Sequence, residues 1–278
     1  MEIWTIANLK GGVGKTTTTV ALGGLLAAWG FRTLLIDVDA HASLSAYFGY
    51  DPDELEFSSY DLFLATAERR NIDIRQLIFS TDNPRLDLIP ATTALAGLDR
   101  QSGRLDGLGL VLKRALPPLA AKYDHILIDC PPVLGILLIN ALAVCDKLII
   151  PVQTEFLAMK GLERMLRTMN MVLRVRQKPL SYTIVPTYFD PRTRASIESL
   201  AQLRRDHPDH LWHGYVPVDT RLRDASRAGV PPSFYDPRSR AVAAYTDLLE
   251  TLRRDSPIAP PVPAPPPRVQ PAVSMAAT

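Results

Sequence analysis

Residues 10–17 of this 278-residue chain read Lys-Gly-Gly-Val-Gly-Lys-Thr-Thr, between an apolar, strand-like run and a long apolar helical pattern. Glycine tolerates backbone conformations that let successive N–H groups point into one concavity, and the following helix adds its positive N-terminal end. This arrangement predicts a phosphate-binding loop. A strand, such a loop and a helix in succession are typical of an α/β protein with a parallel sheet.

The charged and hydroxyl side chains of the loop suit a bound triphosphate. Lys15 is placed to contact the β- and γ-phosphates, and Thr16 begins the helix with its hydroxyl facing the loop, where it can ligate Mg²⁺. No Asn-Lys-x-Asp guanine motif is present, which favours ATP over GTP. The other residues predicted to hold the nucleotide are Gly11, Gly12, Val13, Gly14 and Thr17.

The loop departs from the general G-x-x-x-x-G-K-[ST] pattern, because Leu9 stands at its first position and Lys10 adds a second lysine. This lysine-first loop resembles the deviant Walker A motif of the ParA/MinD family of P-loop ATPases. Residues 34–41, Leu-Leu-Ile-Asp-Val-Asp-Ala-His, resemble the second aspartate motif of that family. Residues 125–132, His-Ile-Leu-Ile-Asp-Cys-Pro-Pro, resemble its Walker B strand.

The resemblance continues from Pro217 to Arg240, so that we predict one ParA-like ATPase domain over residues 1–254. Residues 255–278 hold eight prolines and only two charged side chains. Such a composition cannot make a packed core, and it predicts an extended, mobile tail. The Pro-Ala-Pro-Pro-Pro-Arg run at residues 263–268 either docks in a polyproline-II groove or has no ligand.

Strand-like segments alternate with helical patterns along the predicted domain. This alternation predicts a doubly wound α/β fold, with a mostly parallel sheet of about seven or eight strands and helices on both faces. Residues 49–83 lack strand character and are expected to form helices and loops. We place the strands near residues 3–8, 33–38, 86–90, 125–129, 147–152, 182–186 and 213–217.

Three aspartates end or follow predicted strands, and the carboxyl ends of parallel strands meet at one edge of a sheet. We therefore expect Asp37, Asp39 and Asp129 to lie beside Lys15. The resemblance implies that Asp39 orients the attacking water, that Asp37 joins Thr16 in the Mg²⁺ shell, and that Asp129 makes an outer contact with the nucleotide site through water. The alternative is that one of these acids simply caps a helix.

Lys10 lies five residues before Lys15 and does not easily serve the same phosphate. In the resembling family this lysine reaches across a dimer interface to the nucleotide of the partner. The resemblance therefore implies a catalytic role for Lys10 in an ATP-dependent homodimer, which hydrolysis releases.

The residues after the second aspartate motif differ from the usual family pattern, since Ala40 and His41 stand where Pro-Gln is common. His41 either hydrogen-bonds near the nucleotide, as a glutamine would, or packs within the loop. An altered turnover or pH dependence could follow. A separate histidine cluster lacks the partners and geometry of a zinc site. Its members are His207, His210 and His213.

Charge is unevenly distributed along the chain. Residues 1–150 hold 13 basic and 17 acidic side chains, whereas residues 151–255 hold 17 basic and 12 acidic. The second half is therefore the candidate anion-binding surface. Without a base-reading motif, any DNA binding should be directed at phosphates and insensitive to sequence, as the resemblance also implies. The leading contacts are Arg192, Arg194, Arg221, Arg223 and Arg227.

Two other interpretations of these basic side chains stay open. The arginines could form ordinary salt bridges with nearby aspartates. An amphipathic helix with one basic face is an alternative DNA-binding surface or a solvated face of a packed helix. Its basic members are Lys160, Arg164, Arg167, Arg174, Arg176 and Lys178.

The favoured function is a ParA-like ATPase that binds DNA and positions a cargo with the help of a ParB-like or other adaptor that stimulates hydrolysis. The cargo is a chromosome or plasmid, or a chemotaxis or motility protein cluster. Residues 47–50 and 152–157 resemble the ParA-like proteins that are associated with chemotaxis or motility clusters. The alternatives are an ATP-dependent metabolic ligase or synthetase and a non-hydrolysing nucleotide-binding scaffold.

Composition and the ends of the chain predict a cytoplasmic protein, associated with the nucleoid or a cell pole. The N-terminus has no basic leader, and the longest later apolar segment is too short to cross a bilayer. The tail lacks the amphipathic helix of a MinD-like protein, so we expect no stable membrane attachment. Cys130 and Cys145 are expected to be buried thiols.

Overall fold

A seven-stranded sheet forms the centre of the computed structural model, which describes residues 1–101, 108–173, 180–254 and 256–259. The strands are β1 (Glu2–Ile6), β2 (Thr33–Asp37), β3 (Phe79–Ser80), β4 (Leu86–Ile89), β5 (His125–Asp129), β6 (Lys147–Gln153) and β7 (Ser181–Thr187). Their order across the sheet is β3-β4-β2-β5-β1-β6-β7. All neighbours are parallel except β3, which is antiparallel to β4. The predicted fold class is confirmed.

Helices cover both faces of the sheet, as the alternating pattern predicted. Among the described residues they are α1 (Lys15–Ala28), α2 (Ser43–Tyr47), α3 (Ser59–Ala67), α4 (Leu95–Gln101), α5 (Val111–Ala115), α6 (Ile136–Val144), α7 (Phe156–Leu173), α8 (Arg194–Asp206), α9 (Arg221–Ala228), α10 (Pro232–Tyr235) and α11 (Arg240–Arg253).

Successive residues of the central strands belong to two different hydrophobic cores, one on each face of the sheet. Ile3 and Leu34 pack with α3, α6 and α7, whereas Trp4 and Leu35 pack with α1 and α11. Strands of a parallel sheet are buried on both faces, which is why these strands are continuously apolar rather than alternating. Parallel pairing aligns the carboxyl ends of β1, β2 and β5, since Ile6 and Asp37 are both in register with Asp129.

Most predicted strands are present, but the strand predicted at residues 213–217 is wrong. Within this segment Pro217 forms an isolated bridge with Phe189, just after β7, and a second isolated bridge pairs Leu211, just before the segment, with Ile184 of β7. Gly214 lies under the ring of Trp212, so close that a Cβ atom there would be 2.3 Å from Trp212 Cζ2. Pro217 also lacks the N–H group that a continuous ladder needs. The backbone therefore leaves the sheet between the two bridges.

The seventh strand of the sheet is β3, within the segment expected to hold only helices and loops. That segment does contain α3 and a 3₁₀ helix at Ile74–Leu77, but Phe79 and Ser80 pair with β4. The ring of Phe79 packs edge-on against Tyr50, with centroids 5.2 Å apart. Two residues are too short a run for alternation to reveal, so tertiary packing decided this strand.

Several sequence predictions concern residues that the structure does not describe. Residue 255, residues 260–278 and the basic side chains Arg174, Arg176 and Lys178 lie outside the described residues. The boundary of the ATPase domain at residue 254 stays a prediction. Cys130 and Cys145 are buried, as predicted. Of the helices that the structure describes, none has the length and apolar character to span a membrane.

Two adjacent glycines let α1 pack against its neighbours at close range. A Cβ atom on Gly24 would lie 2.4 Å from Pro231 Cβ, just before α10. We expect Gly24→Ala to lower the free energy of unfolding by roughly 1–3 kcal/mol, because a backbone shift must relieve the overlap. Urea unfolding measures the change. Gly97→Ala in α4 is the control, since among the described residues no atom outside its own helix backbone and chain neighbours lies within 4 Å of its Cβ position. Equal losses in both variants would contradict the packing argument.

Candidate nucleotide-binding site

The glycine-rich loop joins β1 to α1 and is held in place from two strands. Gly12 and Gly14 have φ values of 74° and 91°, left-handed conformations that other residues rarely adopt. Asn8 Oδ1 accepts a hydrogen bond from the backbone N–H of Lys10 at 3.0 Å, while Asn8 Nδ2 donates to the carbonyl of Pro151 in β6. Thr187 Oγ1 of β7 donates to the carbonyl of Val13. The curl of the loop is therefore fixed by the sheet.

A cavity of about 460 Å³ lies over this loop and brings most of the predicted residues together. Asp39 lines it from the segment after β2, and Tyr188 from the segment after β7. Val13 is buried beneath the loop and does not line the cavity. The loop residues that line it are Gly11, Gly12, Gly14, Lys15, Thr16 and Thr17.

Asp129 ends β5 directly beside the loop. Its Oδ2 accepts a hydrogen bond from Thr16 Oγ1 at 2.6 Å, and its Oδ1 accepts one from Thr19 Oγ1 at 3.3 Å. Burial, and then the neighbouring charge of Asp37, raise the pKa of Asp129 to about 8. A cation at this position would relieve the repulsion between the two carboxylates.

Asp37 ends β2 in register with Asp129 and is fully buried. Its Oδ1 accepts the backbone N–H of Asp39, and its Oδ2 accepts both the backbone N–H and the hydroxyl of Ser45. Burial raises the pKa of Asp37 to about 6. These bonds shape the turn that carries Asp39 into the cavity. The place of Asp37 in a Mg²⁺ shell stays a prediction. Sequence reasoning missed Ser45 because no motif in the sequence marks this serine.

Lys10 is ion-paired within its own chain to Glu155, in the turn between β6 and α7. The lysine side chain is 25% exposed and the glutamate side chain 39% exposed. Lys15 lies deeper, and its Nζ donates to the carbonyl of Lys10 at 3.4 Å. The two lysines therefore have different surroundings, as predicted from their spacing, but no sequence signal pointed to Glu155.

Exposed apolar side chains lie in the segments around Lys10. The exposed fraction is 50% for Val133 and Leu134, which follow β5, and 65–70% for Phe156 and Leu157, which begin α7. Val133, Leu134 and Leu157 line one groove together with Lys10 and Lys160. Clustered exposed apolar side chains mark interaction surfaces more often than isolated ones do.

A second cavity, of about 400 Å³, adjoins the first one through Gly14, Thr17, Tyr188 and Ser226. The lining combines apolar side chains with hydrogen-bond donors, and this combination suits a nucleobase and its ribose. Sequence reasoning missed this cavity, although the segment from Pro217 to Arg240, which was noted for its resemblance to the family, supplies much of its lining. Its lining includes Val216, Val218, Leu222, Arg223, Arg227 and Tyr245.

The five arginines proposed as DNA contacts fall into two groups. Arg223 and Arg227 line the second cavity. The other three are exposed and lie in salt bridges: Arg192 with Asp190 at 2.7 Å, Arg194 with Glu198 at 2.6 Å, and Arg221 with Asp224 and Asp236 at 3.5 and 3.4 Å. Exposed ion pairs of this kind are weak, so these carboxylates compete poorly with a DNA phosphate for the arginines.

A glycine-rich loop between β1 and α1, with aspartates at the ends of β2 and β5, defines a P-loop nucleotide-binding protein. A family model described as an AAA domain matches residues 1–182. Sporulation initiation inhibitor protein Soj of Bacillus subtilis (strain 168) is 38% identical over 252 residues, covering 90% of this chain and 98% of Soj. The chain belongs to the ParA/MinD family of P-loop ATPases.

Further relatives agree with this assignment. Chromosome partitioning protein ParA of Myxococcus xanthus (strain DK1622) is 35% identical, covering 92% of this chain and 89% of that protein. Cobyrinic acid a,c-diamide synthase from Mycobacterium smegmatis, solved with an ATP analogue and magnesium, has a TM-score of 0.77 and 30% identity, covering 91% and 95% of the two chains. A plasmid partition protein from Borrelia burgdorferi has a TM-score of 0.71 and 28% identity, covering 90% and 97%.

Proposed function

We propose that this chain binds and hydrolyses ATP with Mg²⁺, dimerises with ATP, and associates with DNA to partition or position a cargo. The observation that carries the proposal is the convergence of Lys15, Thr16, Asp39 and Asp129 over one glycine-rich loop. The names of the relatives Soj and ParA, and the ATP analogue and magnesium in a structure 30% identical, support it.

The donor set beside the loop fits Mg²⁺. The nearest groups are the hydroxyl of Thr16 and the carboxylates of Asp129 and Asp37, which are the oxygen donors that this ion prefers. Within the described ranges, no three His, Cys, Asp or Glu residues are grouped to hold a metal alone. That is compatible with Mg²⁺, which uses few protein ligands together with phosphates and water. When bound, the ion neutralises charge on the β- and γ-phosphates.

The side chains of this site divide the work of phosphoryl transfer. Backbone N–H groups of Gly11 to Thr17 and the ammonium group of Lys15 hold the phosphates and stabilise the negative charge of the transition state. Asp39 accepts a hydrogen bond from the attacking water and orients it toward the γ-phosphorus. Little further covalent chemistry is required of the protein, because this reaction depends mainly on positioning and electrostatics.

The ATP-dependent homodimer is supported by the surface around Lys10. Val133, Leu134, Phe156 and Leu157 are apolar and exposed beside this lysine, so a second copy would bury them. In this proposal Lys10 exchanges Glu155 for the nucleotide of the partner. Binding of ATP then favours assembly by mass action, and hydrolysis reverses it.

Association with DNA is expected to need ATP and to weaken steeply with salt. Arg192→Glu with Arg194→Glu should reduce affinity for random-sequence duplex DNA about tenfold or more, and lower the salt slope by roughly two units, because two phosphate contacts are lost. Fluorescence anisotropy with ATP, ADP or no nucleotide, across a salt series, measures both quantities.

The matched control reverses the same charge at the other end of α8. Arg204→Glu with Arg205→Glu should leave the affinity within about threefold of the wild type, because any non-specific DNA surface is local. If the Arg192 and Arg194 variant binds DNA as the wild type does, this surface is not the DNA site. The basic face of α7 would then become the alternative.

The metabolic ligase or synthetase stays the second candidate, because one similar structure carries the name of a synthase. The relatives with higher identity, 38% and 35%, carry the names Soj and ParA. Turnover that depends strongly on a small-molecule acceptor would favour the synthetase. The adaptor, the cargo, the chemotaxis subgroup and the association with nucleoid or cell pole remain parts of our proposal.

A further inference from the structure

His41 makes two contacts with a single oxygen of Asp39. Its backbone N–H donates to Asp39 Oδ1 at 3.0 Å, and its ring Nδ1 lies 2.8 Å from the same atom. An ionised carboxylate can only accept, so Nδ1 carries the hydrogen of this bond. The carboxylate is therefore held by two donors from one residue.

The other oxygen of Asp39 is left for a different partner. Among the residues that the structure describes, Oδ2 has no hydrogen-bond donor, although the side chain is only 11% exposed. Asp39 and His41 both line the cavity over the phosphate loop. Two bonds to Oδ1 restrict rotation of the carboxylate and so determine where Oδ2 points.

We infer that His41 is a positioning residue for ATP hydrolysis, which acts by holding Asp39 through Nδ1 while Asp39 Oδ2 meets the attacking water. This inference rests on the proposed function and deepens it, since it assigns a role to a residue that differs from the usual family pattern. The imidazole is 75% exposed, so it adds little to the packing of the loop. The bond from the ring to Asp39 is instead the contact through which His41 orients that carboxylate.

Three substitutions separate the two ring nitrogens. The amide nitrogen of Asn is as many bonds from the backbone as Nδ1 of His, whereas that of Gln corresponds to Nε2. We expect His41→Ala to lower kcat about tenfold, because a loosely held carboxylate orients water less often. His41→Asn should stay within about threefold of the wild type, and His41→Gln should fall between the two. KM for ATP and the Kd of a non-hydrolysable ATP analogue should change less than twofold in all three.

The measurement is steady-state phosphate release with the full chain, together with analogue binding and thermal unfolding of each variant. A lower kcat in His41→Ala, with unchanged analogue binding and rescue by Asn, supports the positioning role. If Gln restores activity and Asn does not, the ring acts through Nε2 and the inference is wrong. Equal kcat in all four proteins, or losses that follow thermal stability, would also overturn it. An inactive wild type would instead remove the proposed function itself.

Discussion

Asp39→Ala is expected to lower kcat for ATP hydrolysis by roughly a hundredfold while leaving ATP binding within about threefold of the wild type. The carboxylate lines the phosphate cavity with Oδ2 available to water, and within the described residues it forms no hydrogen bond or ion pair with the glycine-rich loop. Its removal should therefore cost orientation of the water rather than affinity for the phosphates. Phosphate release measures kcat, and a fluorescent ATP analogue measures binding.

Asp209→Ala is a suitable control for this variant. Asp209 is exposed and, within the described part of the chain, has no hydrogen-bond or ion-pair partner, so its loss should leave kcat unchanged. Normal hydrolysis by Asp39→Ala with intact ATP binding would show that another group orients the water. A wild-type protein that binds ATP and never releases phosphate would favour the non-hydrolysing scaffold.

Lys10→Ala is expected to prevent the ATP-dependent dimer while the monomer still binds ATP. Lys10 does not share the surroundings of Lys15, and its ammonium group lies beside the exposed apolar surface. Its loss removes the charge proposed to reach the partner's nucleotide but leaves the loop that holds the phosphates. Light scattering should give 30.7 kDa with ATP for this variant, and twice that mass when Lys10 is present.

The experiment is cleanest in the Asp39→Ala background, where ATP persists long enough for the masses to be compared. Lys122→Ala is the control, because Lys122 is also ion-paired to a carboxylate, Asp87, at 3.1 Å but lies away from the loop. Glu155→Gln frees Lys10 and should lower the ATP concentration needed for dimers. A dimer that forms equally well without Lys10 would contradict the cross-subunit role.

The fold and the phosphate loop could be predicted from the sequence because their information is local. Glycines followed by Lys15 and Thr16 identify the loop within eight residues, although bonds from Asn8 and Thr187 hold its curl in the folded protein. The strands before Asp37 and Asp129 are continuously apolar, as strands covered on both faces must be. The order β3-β4-β2-β5-β1-β6-β7 and the antiparallel strand β3 required the structure, since pairing partners are chosen by packing.

The identity of the phosphate loop, the parallel α/β class and the family were therefore determined by the sequence alone. Only the tertiary structure decided which groups meet across long separations. Glu155 reaches Lys10 from 145 positions away, and Arg223 and Arg227 line the cavity beside the loop instead of sharing the surface of Arg192. His41 is close to Asp39 in sequence, but its bond to Oδ1 depends on the turn that Asp37 and Ser45 shape. Backbone motifs follow from neighbouring residues, whereas side-chain contacts depend on how the sheet and helices bring distant segments together.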